Sequence, residues 1–124
     1  MTIDTRTDTR DGTRHGTLWA GVVVGPIASL TALQLGYVLV ERACASGRLA
    51  PIHLAFLGCL LATLAAGFLA WREWRRWGSR LASDAPGREG RSRFLATLGV
   101  TAAPLFVLVI VAQWSAVLFL HPCQ

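Results

Sequence analysis

Four side chains that can bind a metal or undergo redox chemistry lie at the borders of the apolar stretches of this chain: Cys44, His53, His121 and Cys123. Two thiolates and two imidazoles can together bind Cu(I) or Zn(II), and the soft thiolates favour copper. The same two cysteines can instead form a disulfide in an oxidising compartment. Their spacing matches no zinc-finger motif, so the fold must decide between a metal site and a disulfide.

Other groups with catalytic potential are scarce. Gln34 and Gln113 are polar residues inside apolar stretches that contain no Asp, Glu or Lys. Proton pumping and ion-coupled transport are disfavoured, because they use titratable side chains within the membrane. The sequence has no CxxC, GxSxG, phosphate-loop or dinucleotide-binding motif. We therefore expect a protein that is not an enzyme.

The elements that position these residues follow from the hydropathy of the chain. Its 124 residues form one small unit that is 53% hydrophobic and 15% charged, with a mean hydropathy of +0.48. Three runs without Asp, Glu, Lys or Arg contain 26, 23 and 31 residues: 15–40, 49–71 and 94–124. Because about 20 helical residues cross a bilayer, we predict an all-α membrane protein with spans at 18–40, 51–71 and 94–120.

All twelve basic residues are arginines, and their placement predicts the topology. Arg6, Arg10, Arg14 and the seven arginines between 72 and 93 lie on one side of the predicted membrane, whereas only Arg42 and Arg48 lie on the other. The positive-inside rule places the ten on the cytoplasmic side, so we expect N-in/C-out topology in a bacterial inner membrane. The net charge of +5 is then explained by topology and by anionic lipid headgroups, and no nucleic-acid partner is expected.

This topology puts Cys44 and Cys123 on the same, outer side. We therefore predict a Cys44–Cys123 disulfide, no metal and no cofactor. The alternative is a periplasm-facing copper-binding factor that uses both cysteines with His53 and His121. Cys59 falls in the bilayer, where a small packing residue is expected.

The two glutamines are predicted to share a depth. Each lies six or seven residues from the outer end of its span, roughly 9 to 11 Å along the helix axis. A hydrogen bond between Gln34 and Gln113 would join the first and third helices. Tyr37 and Trp114 are placed to extend this polar layer.

Small residues recur every three or four positions in the first two spans, which is typical of closely packed membrane helices. We predict that these two helices pack antiparallel through their small faces. The predicted packing residues are Gly21, Gly25, Ala32, Gly36, Ala62 and Ala66.

An amphipathic extension follows the second span. The segment WREWRRW places tryptophans on one helical face and arginines on the other. Such a segment lies at the membrane surface, with indoles at headgroup depth and guanidinium groups on lipid phosphates. The predicted interface residues are Trp71, Trp74, Trp77, Arg72, Arg75 and Arg76.

The remaining organisation is simple. Residues 1–16 alternate Thr, Asp and Arg and have little to bury, so we predict a disordered cytoplasmic tail. Residues 17–124 form a single three-helix domain, with a cytoplasmic loop at 72–93.

The order LWAGVVVGP, QLGYVLV, Cys44, His53, FLAWREWRR, RFLATLG, Gln113 and terminal HPC resembles a group of small three-span bacterial membrane proteins. Members of that group are encoded among cytochrome oxidase and oxidase-assembly genes. The resemblance covers residues 17–124 through scattered positions, and it carries over no catalytic residue. It implies an accessory subunit or assembly factor of a haem-copper oxidase, with other membrane subunits as partners.

Overall fold

The computed structural model describes residues 5–78, 88–121 and 123, with side chains omitted at 5–15, 77, 78, 88, 89 and 92. It contains three helices: α1 (Thr5–Ser46), α2 (Ala50–Gly78) and α3 (Arg88–Phe119). Each has a segment long and apolar enough to cross a membrane: Gly16–Ser46, Ala50–Arg76 and Arg93–Phe119. The predicted class, an all-helical protein with three such helices, is confirmed, and this is the architecture of a multi-pass membrane protein.

A tight turn makes α1 and α2 antiparallel. Gly47 has a φ of +68°, the left-handed conformation that glycine supplies just past a helix end. The Ser46 hydroxyl donates to the Arg42 carbonyl at 2.8 Å and completes the last turn of α1. Pro51 then occupies the first turn of α2, where its missing N–H costs no helical hydrogen bond.

The helices begin and end differently from the predictions at several points. The segment predicted as a disordered tail is helical from Thr5, because α1 continues through it. Within the segment 72–93, which was predicted to lie between the second and third spans with an amphipathic helical extension at its start, α2 extends to Gly78 and α3 begins at Arg88. A helix already nucleated by an apolar span extends by one hydrogen bond per added residue, so polar flanks can join it.

Small side chains fill the centre of the bundle. Six of the eleven buried apolar residues in the described chain are alanines, whereas large side chains such as Leu54 and Leu108 are about two-thirds exposed on the outside. Lipid offers large apolar groups the same environment as a protein core, so close backbone packing drives association instead. Each helix packs against both others. In α2 the inward positions are spaced three or four residues apart: Ile52, Phe56, Cys59, Thr63, Ala66, Ala70 and Glu73.

Ala62 is a correction to the predicted packing face. It is exposed, and Thr63 takes the inward position with 1% exposure. The Thr63 hydroxyl donates to the Cys59 carbonyl at 2.9 Å, so it can be buried without losing a hydrogen bond. Neighbouring positions point about 100° apart on a helix. Because Phe56 and Ala66 face the bundle, Ala62 faces away from it.

We name the two ends by their residues. The disulfide end contains Cys44 and Cys123, the α1–α2 turn and the last turns of α3. The arginine end contains the first membrane turns of α1, the last turns of α2 and the start of α3. There Gly21 and Gly99 both approach Ala70 closely: an added Cβ would lie 3.1 Å and 3.0 Å from its Cβ.

Candidate functional site

The disulfide end brings together the two cysteines for which a bond was predicted. Cys44 lies two residues before the end of α1, and Cys123 follows the end of α3. Their Cα atoms are 5.5 Å apart and the sulfurs are joined in a disulfide that links positions 79 residues apart in the chain. Bonded sulfurs cannot serve as thiolate ligands, so this end is a covalent connection between α1 and the carboxyl-terminal segment.

His53 and Trp114 form the polar contact between α2 and α3 at the same end. The Trp114 indole Nε1–H donates to His53 Nδ1 at 2.9 Å. The imidazole is therefore an acceptor at Nδ1, and in its neutral form the proton is on Nε2. Trp114 also stacks on Phe56, with ring centroids 6.4 Å apart and planes within 5°. Both residues lie near the disulfide end of their helices, which is the one signal in the sequence that could have paired them.

The four residues of the copper alternative are not assembled as a ligand set. His53 Nδ1 already receives the indole hydrogen bond, and His121 is exposed. Across residues 5–78, 88–121 and 123, no group of three or more His, Cys, Asp or Glu side chains is placed to hold a metal ion.

The predicted Gln34–Gln113 hydrogen bond is not formed. Gln113 Oε1 is buried and has no hydrogen-bond partner within the described residues. Gln34 is exposed on the face of α1 that points away from the other two helices, and Tyr37 is 71% exposed on the same face. Counting residues from the helix ends does not give the direction of Gln34, which is opposite to the inward positions Ala28 and Ala32.

The other predicted packing residues of α1 and α2 lie between helices. A Cβ on Gly25 would lie 2.6 Å from Phe106 Cδ2, and one on Gly36 would lie 3.4 Å from Phe56 Cζ. Ala32 and Ala66 are buried. A close approach of α2 to α3 involves Gly67, which was not among the predicted packing residues: an added Cβ would lie 2.7 Å from Ala103 Cβ.

At the arginine end, aromatic and cationic side chains meet on α2. The Arg75 guanidinium carbon lies 4.8 Å from the centroid of Trp71, a cation–π distance. Trp71 and Trp74 are each about 40% exposed, and Arg72, Arg75 and Arg76 are exposed. The Trp77 side chain lies outside the described residues.

Glu73 is the residue that sequence reasoning missed. It is 9% exposed and continues the inward series of α2 after Ala66 and Ala70. Its carboxylate lies 3.7 Å from the Arg76 guanidinium, one turn away. The predicted span ended at residue 71, whereas the apolar segment of α2 extends to Arg76. Extending the three- and four-residue spacing past Ala70 would have found it.

Comparison with known proteins gives no family: no family model, no curated protein and no solved structure matches this chain.

Proposed function

We propose that the chain is a non-catalytic accessory subunit or assembly factor of a respiratory membrane complex of the haem-copper oxidase type. The observation that carries the non-catalytic part is the use of reactive groups at the disulfide end. Cys44 and Cys123 are bonded to each other, and His53 accepts the Trp114 indole hydrogen bond. Groups engaged in this way hold helices together, which suits a structural role. The proposed association with a respiratory complex rests on the resemblance of residues 17–124 to the group of small three-span bacterial membrane proteins.

The proposed location is the bacterial inner membrane, with the amino terminus in the cytoplasm. The arginine distribution supports this orientation, and a disulfide suits the oxidising outer side. The exposed Trp71, Trp74, Arg72 and Arg76 would then lie at the cytoplasmic interface, with arginines on anionic headgroups.

Purification of the tagged full chain in a gentle detergent tests the proposed function. We expect oxidase subunits by mass spectrometry and haem bands in the visible spectrum of the same fraction. A matched preparation from cells with untagged protein controls for contamination by abundant oxidase. A colourless fraction without oxidase subunits would contradict the proposal.

A further inference from the structure

The outer face of α1 carries a second helix-packing pattern. Its positions follow steps of three and four residues, the spacing of a helix–helix seam. The apolar members are well exposed, with values of 39% for Val23, 57% for Ile27 and 63% for Leu30. This outer seam lies opposite the positions that face the bundle, and it consists of Val23, Ile27, Leu30, Gln34 and Tyr37.

Two polar groups on and beside this face have no hydrogen-bond partner among the described residues. Gln34 is exposed and makes no hydrogen bond within the described residues, and a carboxamide without a partner is costly in hydrocarbon. The hydroxyl of the adjacent, exposed Thr31 is also without a partner among these residues. Other hydroxyls donate to carbonyls of their own helix: Ser29, Ser46, Thr63, Thr97, Thr101 and Ser115.

We propose that the outer seam binds a second copy of this chain, with α1 parallel to α1 and the two Gln34 side chains hydrogen-bonded to each other. Copies inserted with one topology are related by a two-fold axis normal to the membrane, so equal residues meet at equal depth. A carboxamide has both a donor and an acceptor, so a symmetric pair can satisfy each side chain.

The lipid-facing surfaces of α2 and α3 favour this occupant over a different pairing of two copies. Within the described apolar segments, the exposed positions of α2 before Trp71 carry only apolar side chains or glycine. On α3 the exposed hydroxyls of Thr97 and Thr101 already donate to carbonyls of that helix. A copy that packed α2 or α3 against α1 would leave Gln34 facing apolar groups, whereas α1 against α1 pairs it.

Cysteine cross-linking in membranes tests the geometry. Leu30→Cys in a Cys59→Ala background places a thiol on the seam and leaves the Cys44–Cys123 bond in place. We expect oxidation with copper-phenanthroline to produce a species of twice the chain mass that reduction abolishes. Leu108→Cys, at 67% exposure on α3, is the matched control and should remain monomeric. Equal cross-linking of both variants, or of neither, would overturn the proposal.

Dimerisation of the purified chain tests the role of Gln34. A membrane hydrogen bond of about 0.6 to 1.7 kcal/mol corresponds to a roughly 3- to 20-fold change in the dissociation constant. We expect Gln34→Leu to weaken the dimer by this factor and Gln34→Asn to retain most of the affinity. A Gln34→Leu dimer as tight as wild type would overturn the proposal. So would a monomeric wild type whose residue 34, replaced by a photo-cross-linker, captures a different membrane protein.

Discussion

At the disulfide end, a covalent bond, an indole–imidazole hydrogen bond and stacked rings join the helices, whereas at the arginine end the same helices meet through a small apolar cluster and through close approaches at glycine. Trp114, Phe56 and Ile52 fill the first region. The second region has a smaller cluster, Leu18, Leu95 and Ala96, and beside it Gly21, Gly99 and Ala70, where an added methyl group has little room. Large side chains can adjust to a small change in their surroundings, whereas close approaches at glycine depend on the absence of side-chain atoms.

The largest expected effect comes from removing the disulfide. Replacing Cys44 and Cys123 by alanine should lower the free energy of unfolding by about 2 to 3 kcal/mol. The chain-entropy formula gives roughly 4.5 kcal/mol for a loop of this length, but helices inserted in a membrane are already constrained. Unfolding in detergent micelles by SDS measures the change.

A thiol count provides the control for that experiment. With Cys59 as the free cysteine, denatured wild-type protein should show one reactive thiol before reduction and three after it. Three thiols before reduction would contradict the covalent connection and would leave the disulfide end with non-covalent contacts alone.

Gly67→Ala tests the backbone contacts toward the arginine end. The new Cβ would lie 2.7 Å from Ala103 Cβ, and neither atom can rotate away. The helices must move apart, so we expect the free energy of unfolding to fall by about 1 to 3 kcal/mol. Gly58→Ala is the matched control on the same helix, because nothing lies within 4 Å of its added Cβ. Equal effects of the two substitutions in SDS titrations would mean that helix propensity, not packing, decides the stability.

Trp114→Phe tests the hydrogen bond at the disulfide end while keeping an aromatic ring on Phe56. Loss of the indole donor should cost about 0.5 to 1.5 kcal/mol. A double-mutant cycle with His53→Ala should show a coupling energy of similar size. Trp71→Phe on the exposed face of α2 should change the stability by less than about 0.5 kcal/mol. A coupling energy near zero would contradict the contribution of this bond.

The sequence predicts where residues lie along the helix axes in both regions, but it does not predict the direction in which each side chain points. Three uncharged runs determine three membrane-length helices, because few other structures satisfy backbone hydrogen bonds in lipid. Position along the axis was enough to pair Cys44 with Cys123, but it did not predict the contact between His53 and Trp114. It could not show that Gly67 faces a neighbouring helix while Gly58 faces outward. Small residues occur on both faces of α2, so composition alone leaves the rotation of the helix open.

Gln34 and Glu73 illustrate the two kinds of error. Gln34 was predicted to face Gln113 and instead points away from the bundle, because counting residues from a helix end does not give the direction of a side chain. Glu73 was placed in the amphipathic extension beyond the predicted end of the span, yet it lies inward with 9% exposure. Its position one turn from Arg76 allows the carboxylate to be both buried from lipid and close to a cation.

Gln113→Met is expected to have the smallest effect, and it would stabilise the protein. Gln113 Oε1 is buried without a partner in the described part of the chain, and removing such a group relieves its desolvation cost. We expect the free energy of unfolding, measured by SDS titration, to rise by a few tenths to about 1 kcal/mol. Gln113→Glu is the matched control, because a carboxylate at the same position should destabilise the bundle. If Gln113→Met instead lowered the free energy of unfolding by more than about 1 kcal/mol, Gln113 Oε1 would have a hydrogen-bond partner. The disulfide end would then contain a second polar contact beside that of His53 and Trp114.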